Sequence, residues 1–176
     1  MKNRLIIIGA GGFSLVVADA AIEMGYSKID FVDDVKPLNT TVLDNFKIIG
    51  KQDAILKIED TNVELVIAIG NCKIREEIYT KYSSQFKFTN IIHPKATVSK
   101  ITKIGNGNII LAGATINANA SIGDNNIINS NVLIDHDSEI GNHCHIAQGT
   151  IIGSNVTINS GVLTELAQKI NSFSKI

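Results

Sequence analysis

With 176 residues, a hydrophobic fraction of 44% and a net charge of -1, the chain has room for one or two small domains and enough apolar content for a core. The balanced charge gives no reason to expect nucleic acid or an anionic membrane as partner, and no apolar run is long enough to span a bilayer. Two cysteines, Cys72 and Cys144, exclude a disulfide framework. Leu5–Ile8 is too short for a signal-peptide core, so a cytoplasmic protein with reduced thiols is expected.

The first ninety residues alternate strand and helix patterns. Arg4–Ile8 reads as a buried strand ended by the turn Gly9-Ala-Gly-Gly12. Phe13–Gly25 has helical spacing, with Val16, Val17, Ala20, Ala21 and Met24 on one face and Gly25 as C-cap. Lys28–Val32 is a second strand closed by Asp33 and Asp34. Phe46–Ile49 reads as a short strand and Gln52–Ile58 as a short helix. Val63–Ile69 is a nearly all-apolar strand ending at Gly70-Asn71. Ile74–Tyr82 reads as a helix and Lys87–Ile92 as a last strand. Such alternation implies a parallel, Rossmann-like sheet flanked by helices.

Ligands of such sheets bind beyond the carboxyl ends of the strands. That singles out Gly9, Gly11, Gly12, Phe13 and Ser14, then Asp33 and Asp34, then Gly70 and Asn71. The glycines let backbone N–H groups approach a phosphate at a helix N-terminus. Asp33 stands where an acid would meet ribose hydroxyls or a base edge. A dinucleotide fingerprint wants Gly where Ser14 stands. Three readings are open on these residues: a plain strand-to-helix turn, a nucleotide or nucleotide-sugar site, or an NAD site.

From Ile92 onward a different period takes over. Ile92, Val98, Ile104, Ile110, Ile116, Ile122, Ile128, Ile134, Ile140, Ile146, Ile152 and Ile158 stand six residues apart. A period of six belongs to a parallel β-helix, each repeat a short strand and a turn. The column residue points inward, and stacked coils bury what no single repeat can. Gly105, Gly123 and Gly141 recur at eighteen, which predicts a triangular coil of three repeats. They open turns rich in Gly and Asn that tolerate left-handed backbone. After Ile158 the column breaks. Val162–Phe173 reads as an amphipathic helix, with Leu163, Leu166, Ala167, Ile170 and Phe173 on one face, capping the open coil. The expected divisions are therefore 1–91, a sheet domain; 92–160, the β-helix; and 161–176, a capping helix.

Three histidines lie close together in this half: His136, His143 and His145. His143 and His145 have a chelating gap. No acidic or thiol partner shares their outward face, because Cys144 points into the coil, so no metal is expected. His136 sits at a corner between Asp135 and Asp137. A carboxylate-oriented imidazole suits general-base work, and a solvated surface histidine is the plainer alternative. His136 and His145 are half a coil apart, so they meet only across a subunit interface. A triangular section then favours a trimer.

The chain resembles the two-domain sugar acetyltransferases of the left-handed β-helix class, the sialic-acid O-acetyltransferase and UDP-4-amino-sugar N-acetyltransferase type. The resemblance is carried by Ile7-Ile-Gly-Ala-Gly-Gly12, Phe31-Val-Asp-Asp34, Ala68-Ile-Gly-Asn71 with Arg75, Ile92-His-Pro94, and Ile127–Asp137 followed by Ile140-Gly141. It implies acetyl-CoA as co-substrate, His136 as catalytic base and Asp137 as its acidic partner. It also implies a substrate contact at Asn129, a second active-site histidine at His145, and coenzyme contacts near Gly153 and Ser154, whose N–H would meet the oxyanion. The glycine loop and Asp33-Asp34 would hold a nucleotide-sugar. Two features depart from the family. Gly12-Phe13-Ser14-Leu15 replaces the usual Gly-His-Gly/Ser-Lys, and the column stops where relatives continue. The expected function is acetyl transfer from acetyl-CoA to an amino or hydroxyl group of a sugar. The alternative is a shortened, catalytically impaired relative that binds a nucleotide-sugar or assembles.

Overall fold

The computed structural model describes residues 3–43, 45–60 and 62–176. The N-terminal part contains β1 (Arg4–Ile8), α1 (Gly12–Glu23), β2 (Ile29–Val32), β3 (Thr41–Leu43), β4 (Phe46–Gly50), β5 (Val63–Ile67), α2 (Cys72–Tyr82) and β6 (Lys87–Phe88). A 3-10 segment, Gln52–Lys57, lies between β4 and β5. The strands form one sheet in the order β3-β4-β2-β1-β5-β6. All pairings are parallel except that of β3 with β4. Leu5, Ile6, Ile7 and Ile8 of β1 are completely buried, as a central parallel strand covered on both faces requires.

Helix α1 packs through Ser14, Val17, Ala18, Ala20 and Ala21. The expected apolar face is rotated: Val16 is 46% exposed, and small residues do the packing because they let the helix lie close. The expected strand 87–92 divides in two. Lys87–Phe88 closes the sheet, and Ile91–Ile92 is the first strand of the β-helix.

That β-helix is built from β7 (Ile91–Ile92), β8 (Thr97–Val98), β9 (Lys103–Ile104), β10 (Ile109–Ile110), β11 (Thr115–Ile116), β12 (Ser121–Ile122), β13 (Ile127–Ile128), β14 (Leu133–Ile134), β15 (Glu139–Ile140), β16 (His145–Ile146), β17 (Ile151–Ile152), β18 (Thr157–Ile158) and β19 (Lys169–Ile170). They stack into three parallel faces. The first holds β7, β10, β13 and β16, the second β8, β11, β14, β17 and β19, and the third β9, β12, β15 and β18. Register shifts by eighteen residues at each step, as in Ile110↔Ile128 and Ile128↔Ile146. The second residue of each strand fills the interior, where Ile110, Ile128, Ile134, Ile146 and Ile152 are fully buried.

The corners follow the same six-residue count. Residues with left-handed backbone fall at Gly107, Gly113, Asn119, Asn125, Asn131, Asp137, His143, Gly149, Asn155, Gly161, Ala167 and Phe173. Glycine and asparagine dominate because other side chains are penalised there. Gly105, Gly123 and Gly141 are not among them. They are glycine for space: a Cβ would lie 2.7 Å from the Gly123 carbonyl oxygen, 2.8 Å from that of Gly141 and 2.6 Å from the Ser160 nitrogen, respectively.

Residues 161–176 are a further coil, not a capping helix. Thr164 takes the next column position and is buried, and Ile170 takes the one after. His145 N–H donates to the Val162 carbonyl, Thr164 N–H to that of His145, Ile151 N–H to that of Gln168, and Gly153 N–H to that of Ile170. Ala167 and Phe173 have φ of 53° and 64°, which no right-handed helix accepts. The supposed apolar face is in water, with Leu163 62%, Leu166 71% and Phe173 80% exposed. Tertiary stacking on the coil below overrides the local helical spacing.

The two halves share a core. The first face of the β-helix carries Ile91, Ile109 and Ile127 outward, and these pack with Val17, Ala20 and Ala21 of α1. The equivalent outward positions are Thr97, Thr115 and Leu133 on the second face and Lys103, Ser121 and Glu139 on the third. Three successive coils carry isoleucine at this position on the first face, the one the sheet domain covers, whereas on the second face it appears only at Ile151, which is 41% exposed.

Candidate active site

His136 lies at the corner between the second and third faces. Its successor Asp137 has φ 59°, the standard left-handed corner of the coil, and this turn brings the carboxylate back onto the ring. His136 Nδ1 and Asp137 Oδ2 are 2.7 Å apart. Asn119 Nδ2 donates to the other Asp137 oxygen, and Asn117 Nδ2 donates to Asp135. Both asparagines are eighteen residues below their partners. Asp135 also accepts the His136 backbone N–H. The hydrogen bond that the ring Nδ1–H donates to Asp137, with the negative charge of Asp135, holds the imidazole above its ordinary value. Asn119 and His136 together hold the Asp137 carboxyl below its own. With Nδ1–H given to Asp137, Nε2 is the group left for chemistry. The His136 side chain is 53% exposed.

A second cluster forms where the sheet domain meets the first face. His145 Nδ1 lies 3.0 Å from the Gly70 carbonyl oxygen, so Nδ1 carries the proton and Nε2 is the acceptor. Asn129 Nδ2 is 3.4 Å from that Nε2. The Phe13 ring stands 6.3 Å from the imidazole, centre to centre. Burial lowers the His145 ring below its usual value. The bond to Gly70 opposes this and the nearby Arg75 charge adds to it.

The glycine loop precedes Phe13 on the sheet-domain side of this cluster. Gly9 has φ 99°, and a Cβ there would lie 3.2 Å from the Ala68 oxygen. Gly11 and Gly12 differ: a Cβ on either would meet nothing within 4 Å, and Gly11 has φ -76°. Neither packing nor turn geometry requires glycine there, and the backbone N–H groups at the start of α1 are left open to approach. Ser14 is fully buried and its Oγ donates to the Gly11 carbonyl, so it braces the loop. Asn71 caps α2 by accepting Ile74 N–H.

Asp33 also serves the loops. Its Oδ2 accepts Ala10 N–H, and its Oδ1 accepts Val35 and Lys36 N–H. Burial raises its carboxyl, but the donors from Lys36, Val35 and Ala10 outweigh that and leave it below its usual value. Asp34 accepts Gln52 N–H at 2.9 Å. Both acids thus tie neighbouring loops at the strand ends together.

Gly153 and Ser154 stand one coil beyond Asp135 and His136. Gly153 N–H is spent on the ladder, and Ser154 N–H donates to Ser172 Oγ at 3.1 Å. An oxyanion at Ser154 N–H would replace that hydroxyl. The structure therefore gathers Phe13, Gly70 and Asn129 around His145, with the rest of the glycine loop leading into Phe13. It places His136, Asp137, Gly153 and Ser154 together at another corner. His143 occupies a third place, in the corner between the third and first faces, where its Nδ1 meets Asn125 Nδ2 at 2.9 Å and its ring stands 5.5 Å from that of Tyr79. Among the described residues no group of three His, Cys, Asp or Glu side chains is placed to hold a metal ion.

The sequence places Arg75 among the residues that carry the resemblance but assigns it no role, and the structure shows what it holds. Its guanidinium is buried between the halves and donates to the carbonyls of Asn125, Ile69, Gly70, His143 and Cys144. Sequence reasoning missed Asn117 and Asn119, although their eighteen-residue offset from Asp135 and Asp137 was in the sequence.

Fold and site together define a class: a hexapeptide-repeat transferase with an N-terminal sheet domain. A PglD N-terminal domain model matches residues 4–82, and a bacterial transferase hexapeptide model, of six repeats, matches residues 101–136. The acetyltransferase domain of PglB from Neisseria gonorrhoeae FA1090, in complex with acetyl coenzyme A, is 29% identical with a TM-score of 0.84, covering 99% of this chain and 96% of that one. A further structure of that domain is 30% identical with a TM-score of 0.79, covering 99% and 88%. PerB from Caulobacter crescentus, in complex with CoA and GDP-perosamine, is 28% identical with a TM-score of 0.78, covering 98% and 84%. The chain belongs to the left-handed β-helix sugar acetyltransferase family, and its β-helix is accordingly left-handed.

Proposed function

We propose that this protein transfers an acetyl group from acetyl-CoA to an amino or hydroxyl group of a nucleotide-linked sugar, with His136 as general base. The observation that carries this reading is the His136–Asp137 pair at a half-exposed corner, its Nδ1 bound to a carboxylate. It is supported by relatives of similar length crystallised with acetyl coenzyme A and with CoA and GDP-perosamine. His136 Nε2 takes the proton as the acceptor nitrogen or oxygen attacks the thioester carbonyl. The C–S bond of the tetrahedral intermediate then breaks, and the departing sulfur receives that proton. Ser154 N–H, released from Ser172 Oγ, donates to the transient oxyanion.

The glycine loop, Asp33-Asp34, Gly70 and Asn129 make up the sugar-nucleotide side. Gly11 and Gly12, which packing does not require, support a phosphate-bearing ligand over a plain turn. The Nε2 of His136 and the cleft of His145 lie at separate places on one chain, which favours a homotrimer with each site built from two subunits. The shortened, impaired alternative loses its motive, since residues 161–176 continue the coil.

The test is coenzyme A release from acetyl-CoA in the presence of UDP- or GDP-linked amino-sugars. Wild-type protein turns over, and His136→Ala loses at least about a hundredfold in kcat. Absence of acetyl-CoA binding by calorimetry overturns the reading.

A further inference from the structure

We infer that Arg75 is a positioning residue for His145, acting through the Gly70 carbonyl. Arg75 is 1% exposed. Its Nη1 donates to Gly70 O at 3.2 Å and to Ile69 O at 3.0 Å. Its Nη2 donates to His143 O at 2.7 Å and Cys144 O at 2.9 Å, the two residues before His145. Its Nε donates to Asn125 O at 3.0 Å. All five oxygen partners are backbone carbonyls.

The arrangement has a consequence for one ring. The Gly70 oxygen accepts from both Arg75 and His145 Nδ1. A carbonyl polarised by a guanidinium and fixed from both sides is a defined acceptor. It selects the Nδ1–H tautomer of His145 and turns its lone pair at Nε2 toward Asn129. Arg75 also ties the chain entering β16 to α2, so the ring is held by its backbone as well as by its proton. A lysine at this position would present three donors from a point and not the planar fork that reaches both sides. Helix α2 thus delivers one side chain that joins the sugar-nucleotide loop and the first β-helix face into one rigid wall. This role rests on the acetyltransferase reading only for its effect on turnover, since the ring state is read without substrate.

The experiment records long-range ¹H–¹⁵N correlations of the histidine rings in the full-length ¹⁵N-labelled protein at pH about 8, where imidazoles are neutral. In the wild type, His145 shows a protonated Nδ1 and a bare Nε2. In Arg75→Lys that pattern is lost to a tautomer mixture, and kcat/KM for the sugar acceptor falls about tenfold. Tyr79→Leu is the control. It loosens the same helix against His143 without touching Gly70, and it leaves the His145 pattern as in the wild type. A wild-type His145 protonated on Nε2 overturns the inference. So does an unchanged His145 pattern in Arg75→Lys, or the same loss in Tyr79→Leu. If Arg75→Lys does not fold, Arg75→Gln is read by the same outcomes. A protein that shows the predicted ring states but transfers no acetyl group would refute the proposed function and leave this inference standing.

Discussion

At the residue scale, the His136–Asp137 pair is a product of corner geometry. Any residue at position 137 adopts the left-handed backbone of the coil, as Asn119, Asn155 and Phe173 do on the same corner. A short carboxylate there reaches back to its neighbour's ring, with Asn119 one coil below to hold it. The imidazole is raised above its ordinary 6.5 mainly by that carboxylate. A general base works deprotonated, so the acid limb of kcat/KM should lie above 6.5, with activity falling as pH drops through it. In Asp137→Asn the limb moves to lower pH while the maximal rate falls about tenfold or more, because the ring loses both its charge partner and its fixed tautomer. A pH–rate profile checks this, and an unmoved limb would assign the titration to another group. His136 and its flanking aspartates were legible in the sequence. The bond to Asp137 rather than Asp135 was not, because it depends on the sign of one φ angle.

At the element scale, the six-residue column foretold the coil and its triangular section. It failed at one position. Thr164 occupies the slot after Ile158 and looks like a break, yet its hydroxyl is used inside the coil. Ala147 N–H donates to Thr164 Oγ1 at 2.8 Å, and Thr150 Oγ1 lies 3.1 Å away. A polar slot filled by a satisfied hydroxyl packs as well as an aliphatic one. The competing helical spacing of Leu163, Leu166, Ile170 and Phe173 then misled, because hydrophobic spacing carries no information about which coil lies below. Replacing Thr164 by Val keeps the shape and strands the Ala147 N–H. The loss of stability should be about 1–3 kcal/mol by denaturant titration. A solvent-exposed capping helix would predict almost none. The division 87–88 and 91–92 was unreadable for a related reason: both short strands are β-rich, and only pairing partners tell them apart.

At the scale of the whole molecule, the docking of the two halves was written in a pattern that went unread. Ile91-Ile92, Ile109-Ile110 and Ile127-Ile128 are doubled isoleucines eighteen residues apart. The second of each pair fills the coil, and the first is covered by the sheet domain, whereas Ile151 of the later pair Ile151-Ile152 stays exposed. His143 and His145 lie on that covered side, both held below the ordinary imidazole value chiefly by burial. The unfolded chain therefore binds protons that the folded one resists. Stability from these groups is full above about 6.5 and declines as pH falls toward the depressed folded values. The melting temperature should drop between pH about 7.5 and about 5.5, and drop less in a His143→Asn, His145→Asn double variant. Equal drops in both proteins would place the acid sensitivity elsewhere. The separation of His136 from the His145 cluster is tested directly by mixing variants. His136→Ala and His145→Ala proteins are each predicted to lack activity. Unfolded together in equal amounts and refolded, they should regain about a quarter of wild-type activity, because one interface in four then unites an intact His136 with an intact His145 from the neighbouring subunit. A mixture as inactive as its two components would contradict a site shared between subunits.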